Sequence, residues 1–326
     1  MNSIFLRIPA TTANLGPGFD VFGLALNLYN YFYIEFLKDA NFEIYLNNKI
    51  LFSDISTNLI FQSYTNVLKH YSYKENEIPR WRATIQIDVP IGKGFGSSAT
   101  AIVAGVEIAK YVLSIEKDIH LTLEEEIQFY LDLENHPDNV VPARLGGWVF
   151  YYEPKIIIRK QLPEDLGICI LIPDFQIHTK ESRKKLKNMY SIREVLSNIK
   201  GCLLWLEYIN TRNPTFLEIA LSSDTLHEPI RYLSIPYIED LKKLIKKFEF
   251  YGMTLSGSGP GILLYYDKNK ENYFKEKIIE MKHLLNYERN HKINYKFCIP
   301  DYEGTVFYEK PIKNFFVEEN ETFINL

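Results

Sequence analysis

The chain shows two hydrophobic periods in turn. Over Tyr29–Phe36 and Thr84–Val89 apolar and polar positions alternate, and this spacing predicts half-buried strands. Ser98–Leu113 carries apolar residues on nearly every face, which predicts a buried helix. A second helix is expected from about Thr122 to Leu133, because Thr122 and Glu125 have capping-box spacing and His136-Pro137 stops the run. The pattern breaks at Tyr152-Glu153-Pro154. Beyond it the sequence predicts a strand at Gly167–Ile172, a long helix at about Ser191–Asn210, and helices near Pro214–Leu221 and Pro236–Phe248. The closing part reads as strands Tyr251–Leu255 and Ile262–Tyr266, a helix at about Glu271–Leu285, then strands Tyr295–Ile299 and Thr305–Glu309. Strands and helices interleave without a regular repeat, so the expected class is α+β with layered sheets, divided near the break into residues 1–155 and 156–326.

Composition narrows the function classes. A chain of 326 residues has room for two domains, and 46% hydrophobic with 24% charged residues excludes collagen-like, disordered and coiled-coil classes. The net charge is −4, from 37 Lys+Arg against 41 Asp+Glu, which argues against nucleic acid as a partner. Cys169, Cys202 and Cys298 stand apart within apolar stretches and read as buried thiols of a reducing compartment, with neither a disulfide framework nor a CxxC metal site. Met1–Arg7 lacks the features of a signal peptide, and no stretch reaches the roughly 20 apolar residues of a membrane span. A cytoplasmic location and no membrane partner are therefore expected.

Four segments carry candidate chemistry. The first, Pro90-Ile91-Gly92-Lys93-Gly94-Phe95-Gly96-Ser97-Ser98-Ala99, joins a strand to a helix. Its alternating glycines let the backbone turn tightly and approach a ligand, while the helix N-terminus presents free N–H groups and a positive dipole end. That combination makes a phosphate cradle. Lys93 precedes Gly94 instead of Ser or Thr, which excludes a Walker A loop, and Pro90 argues against a dinucleotide fingerprint. A glycine-rich turn with no ligand is the plain alternative. The paired hydroxyls of Ser97 and Ser98 disfavour it, since they suit Mg²⁺ or phosphate.

The second segment, Pro9–Asp20, sets Asn14 and Asp20 among apolar neighbours, as an ordinary loop or a substrate-orienting one. The third, Glu134-Asn135-His136-Pro137-Asp138-Asn139, holds more polar groups than a helix stop needs. The fourth, Leu255–Gly261, reads equally as a hairpin turn or a ligand loop.

In order and wording these segments resemble the GHMP small-molecule kinase superfamily, through its Pro-x-x-x-Gly-Phe/Leu-Gly-Ser-Ser-Ala loop and its late Ser-Gly-x-Gly-Pro loop. Within it, Pro9–Gly23 and His136–Ala143 are similar to the homoserine kinase family, and Thr179–Arg183 and His227–Arg231 fit that family's substrate segments. The resemblance covers about residues 4–270. It implies an N-terminal mixed-sheet domain with a left-handed crossover, a C-terminal ferredoxin-like domain, and a homodimer. The implied activity is ATP-dependent phosphorylation of the side-chain hydroxyl of L-homoserine, on the route to threonine. Mevalonate, pantoate and shikimate kinases are the nearest rivals, but their substrates lack an amine. A non-catalytic relative would be expected to have lost Ser97-Ser98 or the glycines.

The same resemblance distributes roles. Asn58 and Pro90 through Ala99 form the ATP set, although Asn58 reads equally well as a helix N-cap. Mg²⁺ falls to Ser98 and to a glutamate, with Glu134 preferred over Glu125 and Glu126. Arg183 and Arg231 face the substrate carboxylate, and Asp20 or Asp138 with His136 faces its ammonium. Asn14 lies near its hydroxyl, and Thr179 and Gly257 complete the substrate set. Asn14, Ser98, Asp138 and Asn139 form the catalytic set, with Asp138 either a base or a binding group. Asn135 departs from the family's usual glycine.

Overall fold

The computed structural model describes residues 3–37, 41–46, 49–50, 55–177, 179–289 and 292–308. Its first part runs β1 (Ile4–Ala13), β2 (Phe22–Leu37), β3 (Glu43–Leu46), β4 (Lys49–Ile50), α1 (Leu59–His70), β5 (Arg80–Ile87), α2 (Ser97–Lys117), α3 (Leu123–Leu131), α4 (Pro137–Leu145), β6 (Trp148–Glu153) and β7 (Ile156–Lys160). It continues with β8 (Leu166–Pro173), α5 (Thr179–Lys184), α6 (Ile192–Thr211), α7 (Pro214–Leu221), α8 (Glu228–Arg231), α9 (Ile238–Lys247), β9 (Gly252–Leu255), β10 (Ile262–Asp267), α10 (Glu271–Arg289), β11 (Ile293–Cys298) and β12 (Val306–Tyr308). Glu309, the expected end of the last strand, lies outside the described residues.

One sheet has the order β12-β1-β2-β5-β3-β4, with β6 on β2 and β7 on β6. Its β3–β5 pair is parallel and its other pairs are antiparallel, so the sheet is mixed. It takes strands from both sides of residue 155, since β7 pairs with β6 and β12 with β1. The second sheet has the order β11-β8-β10-β9 and is antiparallel throughout. Helices fall between β8 and β9 and between β10 and β11, which is the β-α-β-β-α-β order of a ferredoxin-like unit.

The hydrophobic run of β8 shows why that sheet sits where it does. Ile168 and Ile170 face one core with Trp205 and Leu217, while Cys169 and Leu171 face another with Leu241 and Ile278. A strand buried on both faces needs apolar residues at every position, because successive side chains point to opposite sides. The first of these cores also takes Leu24, Leu26 and Trp148, so it binds the two sheets together. Helices α1, α2, α3 and α4 pack over the first sheet around a third core.

Helix α2 is long and apolar enough to cross a bilayer, yet 67% of its apolar window is buried inside the fold. It outruns the expected end at Leu113 to reach Lys117, since nothing before the left-handed Asp118 breaks it. Helix α3 begins as expected: Thr122 Oγ1 accepts from Glu125 N–H, and Thr122 N–H donates to the Glu125 carboxylate at 2.7 Å. One expectation needs correction. His136-Pro137 does more than stop a helix, because Pro137 is the first residue of α4 and His136 its N-cap. Proline is favoured at that position, where its missing N–H would have had no partner in the helix. The cysteines are unpaired, with Cys169 and Cys298 buried.

Candidate active site

The Pro90–Gly96 loop leads from β5 into α2, and Gly96 caps that helix at φ +71°. A Cβ on Gly96 would lie 2.0 Å from Thr11 Oγ1, whose hydroxyl donates to Asn139 Oδ1 at 2.8 Å. A Cβ on Gly94 would lie 2.0 Å from the Ser256 carbonyl oxygen. The two glycine-rich loops are laced together here: Ser256 Oγ donates to the Gly94 carbonyl at 2.7 Å, and Gly261 N–H donates to the Lys93 carbonyl at 3.0 Å. Protein atoms already require glycine at 94 and 96, and both residues also line the cavity described below. The Leu255–Gly261 segment is a hairpin turn and a wall of the site at once.

These loops border a cavity of about 560 Å³. Ser97, Ser98 and the glycine loop form one wall, with Asn58 beside them. Asn58 is also the N-cap of α1, its side chain accepting from Ile60 N–H at 2.9 Å, so both readings of that residue are compatible. Glu134, His136, Asp138 and Asn139 enter from α4 and the segment before it, Asn14 and Asp20 from the β1–β2 loop. Thr179, Arg183, Arg231 and Gly257 also line the cavity. Of the expected site residues only Lys93 and Ala99 do not line the cavity. Lys93 Nζ donates to the Phe175 carbonyl at 2.8 Å and is buried, which lowers its pKa. Ala99 is packed in the core.

The site's electrostatics centre on a few buried groups. Asp138 is 4% exposed, and its Oδ1 has no hydrogen-bond partner among the described residues. Burial, reinforced by Asp20 and Glu134, pushes its carboxyl up to about 8. Burial also raises Glu134. Asp20 is ion-paired with Arg183, and His136 Nδ1 lies 3.7 Å from Asp20. Arg231 is 4% exposed, its Nη1 donating to the Gly257 carbonyl at 3.0 Å and to His227 Nδ1 at 3.1 Å. Its Nε has no partner among the described residues. Asn14 Nδ2 donates to the same Gly257 carbonyl at 3.0 Å and Asn14 Oδ1 accepts from Asp20 N–H, leaving one N–H and one lone pair for a ligand.

Several residues that brace this site had no role in the sequence reading, His227 and Phe19 among them although they lie in the His227–Arg231 and Pro9–Asp20 segments. His227 Nε2 lies 2.9 Å from the Gly16 carbonyl, and with Nδ1 facing a guanidinium N–H the ring is the neutral Nε2–H tautomer. Burial accordingly lowers its pKa to about 4. Phe19 stacks on His227 at 4.9 Å, and the Arg183 and Arg231 guanidiniums lie 5.2 and 5.3 Å from the Phe19 ring centre. Trp205 Nε1 donates to the Leu15 carbonyl at 2.9 Å and Asn198 Nδ2 to that of Pro17 at 3.0 Å. These two fix a loop in which Asn14, Leu15 and Gly16 all have positive φ. Apart from His227 and Arg231, which are four residues apart, these partners lie far apart in sequence, where helix caps and spacing could not reveal them.

The three candidate glutamates separate by position. Glu126 is buried behind the site, where burial alone would raise its carboxyl but Arg144 and Lys110 hold it below the ordinary range. Glu125 is spent on the cap of α3. Glu134 alone of the three lines the cavity, together with Ser98. A carboxylate and a hydroxyl facing one cavity are the oxygen donors that fit a hard divalent cation such as Mg²⁺.

A family model for the GHMP kinases N terminal domain matches residues 58–147. The homoserine kinase of Clostridium kluyveri is 34% identical to this chain over 309 residues, 93% of this chain and 98% of that protein. The chain belongs to the homoserine kinase family. The homoserine kinase of Aquifex aeolicus is likewise 34% identical, over 272 residues that make up 82% of this chain and 88% of that one. Among solved structures, a homoserine kinase from Cytophaga hutchinsonii aligns with a TM-score of 0.78 at 21% identity, covering 94% of this chain and 98% of that one. The mevalonate kinase of Methanococcus jannaschii aligns with a TM-score of 0.67 at 15% identity, over 91% and 98% of the two chains. Both share the GHMP kinase fold with this member of the homoserine kinase family.

Proposed function

We propose that this chain transfers the γ-phosphoryl group of ATP to the side-chain hydroxyl of L-homoserine, giving O-phospho-L-homoserine for threonine synthesis in the cytoplasm. The observation that carries the reading is that one cavity is lined by side chains of both charges, Asp20 and Asp138 with Arg183 and Arg231. A zwitterionic amino acid presents an ammonium to the carboxyls and a carboxylate to the guanidiniums. Mevalonate, pantoate and shikimate carry no ammonium and would leave the Asp138 side unanswered.

In this reading the first N–H groups of α2 and the Gly92–Ser98 loop cradle the triphosphate, with Asn58 on the adenine side. Ser98 and Glu134 hold Mg²⁺, which when bound neutralises charge on the phosphates. Asp138 and Asp20, with His136 alongside, accept hydrogen bonds from the ammonium, and Arg183 and Arg231 hold the carboxylate. Asn14 and Asn139 orient the acceptor hydroxyl, while Thr179 and Gly257 shape the wall behind it. The hydroxyl oxygen then forms the new P–O bond as the bond to ADP breaks and the hydroxyl proton is released. Positioning and charge stabilisation supply most of the catalysis, so Asp138 serves to bind and no dedicated base is required. The labour divides near residue 155, with nucleotide groups drawn mainly from the first unit and the carboxylate clamp from the second. The assembled enzyme is a homodimer.

The test is ADP release with Mg·ATP across homoserine, mevalonate, pantoate and shikimate. Turnover with homoserine alone is expected. Turnover with another acceptor in its place would move the chain elsewhere among the GHMP kinases, and none with any acceptor would mark a binding protein.

A further inference from the structure

Asn139, on the first turn of α4, lines the cavity with a side chain that has a donor end and an acceptor end. Which end faces the reactants decides what it can do there. Thr11 settles the choice. It is fully buried in β1, where its N–H donates to the Phe95 carbonyl at 3.1 Å. Its hydroxyl makes one hydrogen bond among the described residues, donating to Asn139 Oδ1 at 2.8 Å. Turning the amide over would leave that buried hydroxyl proton without an acceptor, and an unmet buried donor is costly. Oδ1 is thereby turned into the protein, while Nδ2, which has no partner among the described residues, is left for the cavity. The pair sits against the phosphate loop: a Cβ on Gly96 would lie 2.0 Å from Thr11 Oγ1 and 3.3 Å from Asn139 Oδ1.

We propose that Thr11 is a positioning residue for the phosphoryl transfer, its one hydroxyl bond aiming the Asn139 amide so that an N–H donor, and not a carbonyl oxygen, faces the reacting oxygens. The inference rests on the phosphoryl-transfer reading above and deepens it. The group in transfer spreads its negative charge over its outer oxygens, which an N–H dipole stabilises and a carbonyl dipole repels. An N–H donor also cannot take the proton that the acceptor hydroxyl releases, so Asn139 acts by orientation and charge stabilisation.

Kinetics of the full chain with homoserine and Mg·ATP, beside thermal unfolding and calorimetric binding of each substrate, test it. Thr11→Val is close in volume but cannot hold Oδ1, and should lower kcat roughly tenfold or more while both KM values and both affinities stay within about threefold. Thr11→Ser restores the hydroxyl and should recover most of kcat. In an Asn139→Ala background Thr11→Val should cost nothing further, because the group it aims is gone. Asn139→Asp keeps an oxygen for Thr11 but replaces the donor with an acceptor, and should lower kcat at least as far as Asn139→Ala, whether or not Thr11→Val folds. An unchanged kcat in Thr11→Val or in Asn139→Asp would overturn the inference. So would a loss that Thr11→Ser fails to recover or that adds to Asn139→Ala, since either marks a merely structural contact. A wild type without homoserine turnover would overturn the functional reading itself and this inference with it.

Discussion

Asp20 and Arg183, 163 residues apart in the chain, are ion-paired at the wall of the cavity, with Arg183 Nη1 3.3 Å from Asp20 Oδ1 and Nη2 on Oδ2. The β1–β2 loop and α5 are thereby joined by the two groups that face opposite ends of the proposed substrate. On the proposed reading, an amino acid entering the cavity would insert its ammonium on the Asp20 side and its carboxylate on the Arg183 side, exchanging one ion pair for two.

The first prediction follows from that exchange. Arg183→Lys loses the planar fork that grips a carboxylate, and should raise the homoserine KM roughly 10- to 100-fold, about 1.4–2.8 kcal/mol. Asp20→Asn should act in the same direction. Because the two side chains are in contact, the double variant should cost less than the sum of the singles. Steady-state kinetics with ATP saturating decides it, and additive costs would show that the pair does not act as a unit.

Ser98 and Lys93 should respond in opposite ways. Ser98 opens onto the cavity, so Ser98→Ala should lower kcat at least tenfold with little change in stability. Lys93 is turned to the Phe175 carbonyl, so Lys93→Met should cost stability and leave the ATP KM nearly unchanged. A large rise in ATP KM in Lys93→Met would place that ammonium on the nucleotide after all.

Gly96→Ala should destabilise the fold before it touches the nucleotide. The left-handed backbone alone costs on the order of 1–2 kcal/mol, and the new methyl would meet Thr11 Oγ1. Adding Thr11→Ala should recover part of the loss in denaturant unfolding. No recovery would mean that the Thr11 contact is not the source of the strain.

These contrasts show how much of the site was legible in the sequence. The glycine loop, Ser97-Ser98 and the His136–Asn139 segment announce themselves because each packs its chemistry into a few consecutive residues. The Thr122–Glu125 cap was equally local. Helix α4 was misread because a proline after a helix and a proline opening one look alike until the backbone is seen. Thr11, Phe19 and His227 fall within singled-out segments but their own roles were not legible, and Asn198 and Trp205 were not legible at all, since these roles exist only where β1, the β1–β2 loop, α6 and α8 meet. The same holds for Lys93, whose place in a ligand-like motif gave no hint that Phe175 would claim its ammonium.

His227 gives the account a pH signature. It is buried neutral against Gly16, Arg231 and Asp224, with its pKa lowered from 6.5 to about 4. A depressed folded value means the unfolded chain binds the proton first, so this contribution is complete above pH 6.5 and is lost as pH falls towards about 4. Raised carboxyls such as Asp138 act in the opposite direction over the same range, so the test is the difference: on going from pH 7 to pH 5 the wild type should lose unfolding free energy relative to His227→Gln. An unchanged slope in His227→Gln would mean that the ring is not held neutral.

The central claim, that the cavity is built for a zwitterion, is tested most directly by kcat/KM for three acceptors: homoserine, 4-hydroxybutyrate without the ammonium, and 3-amino-1-propanol without the carboxylate. A site with buried groups for both charges should reject each truncated acceptor by a factor on the order of 10³ or more, because one buried partner is then left unanswered. A kcat/KM for either analogue within tenfold of that for homoserine would contradict the account.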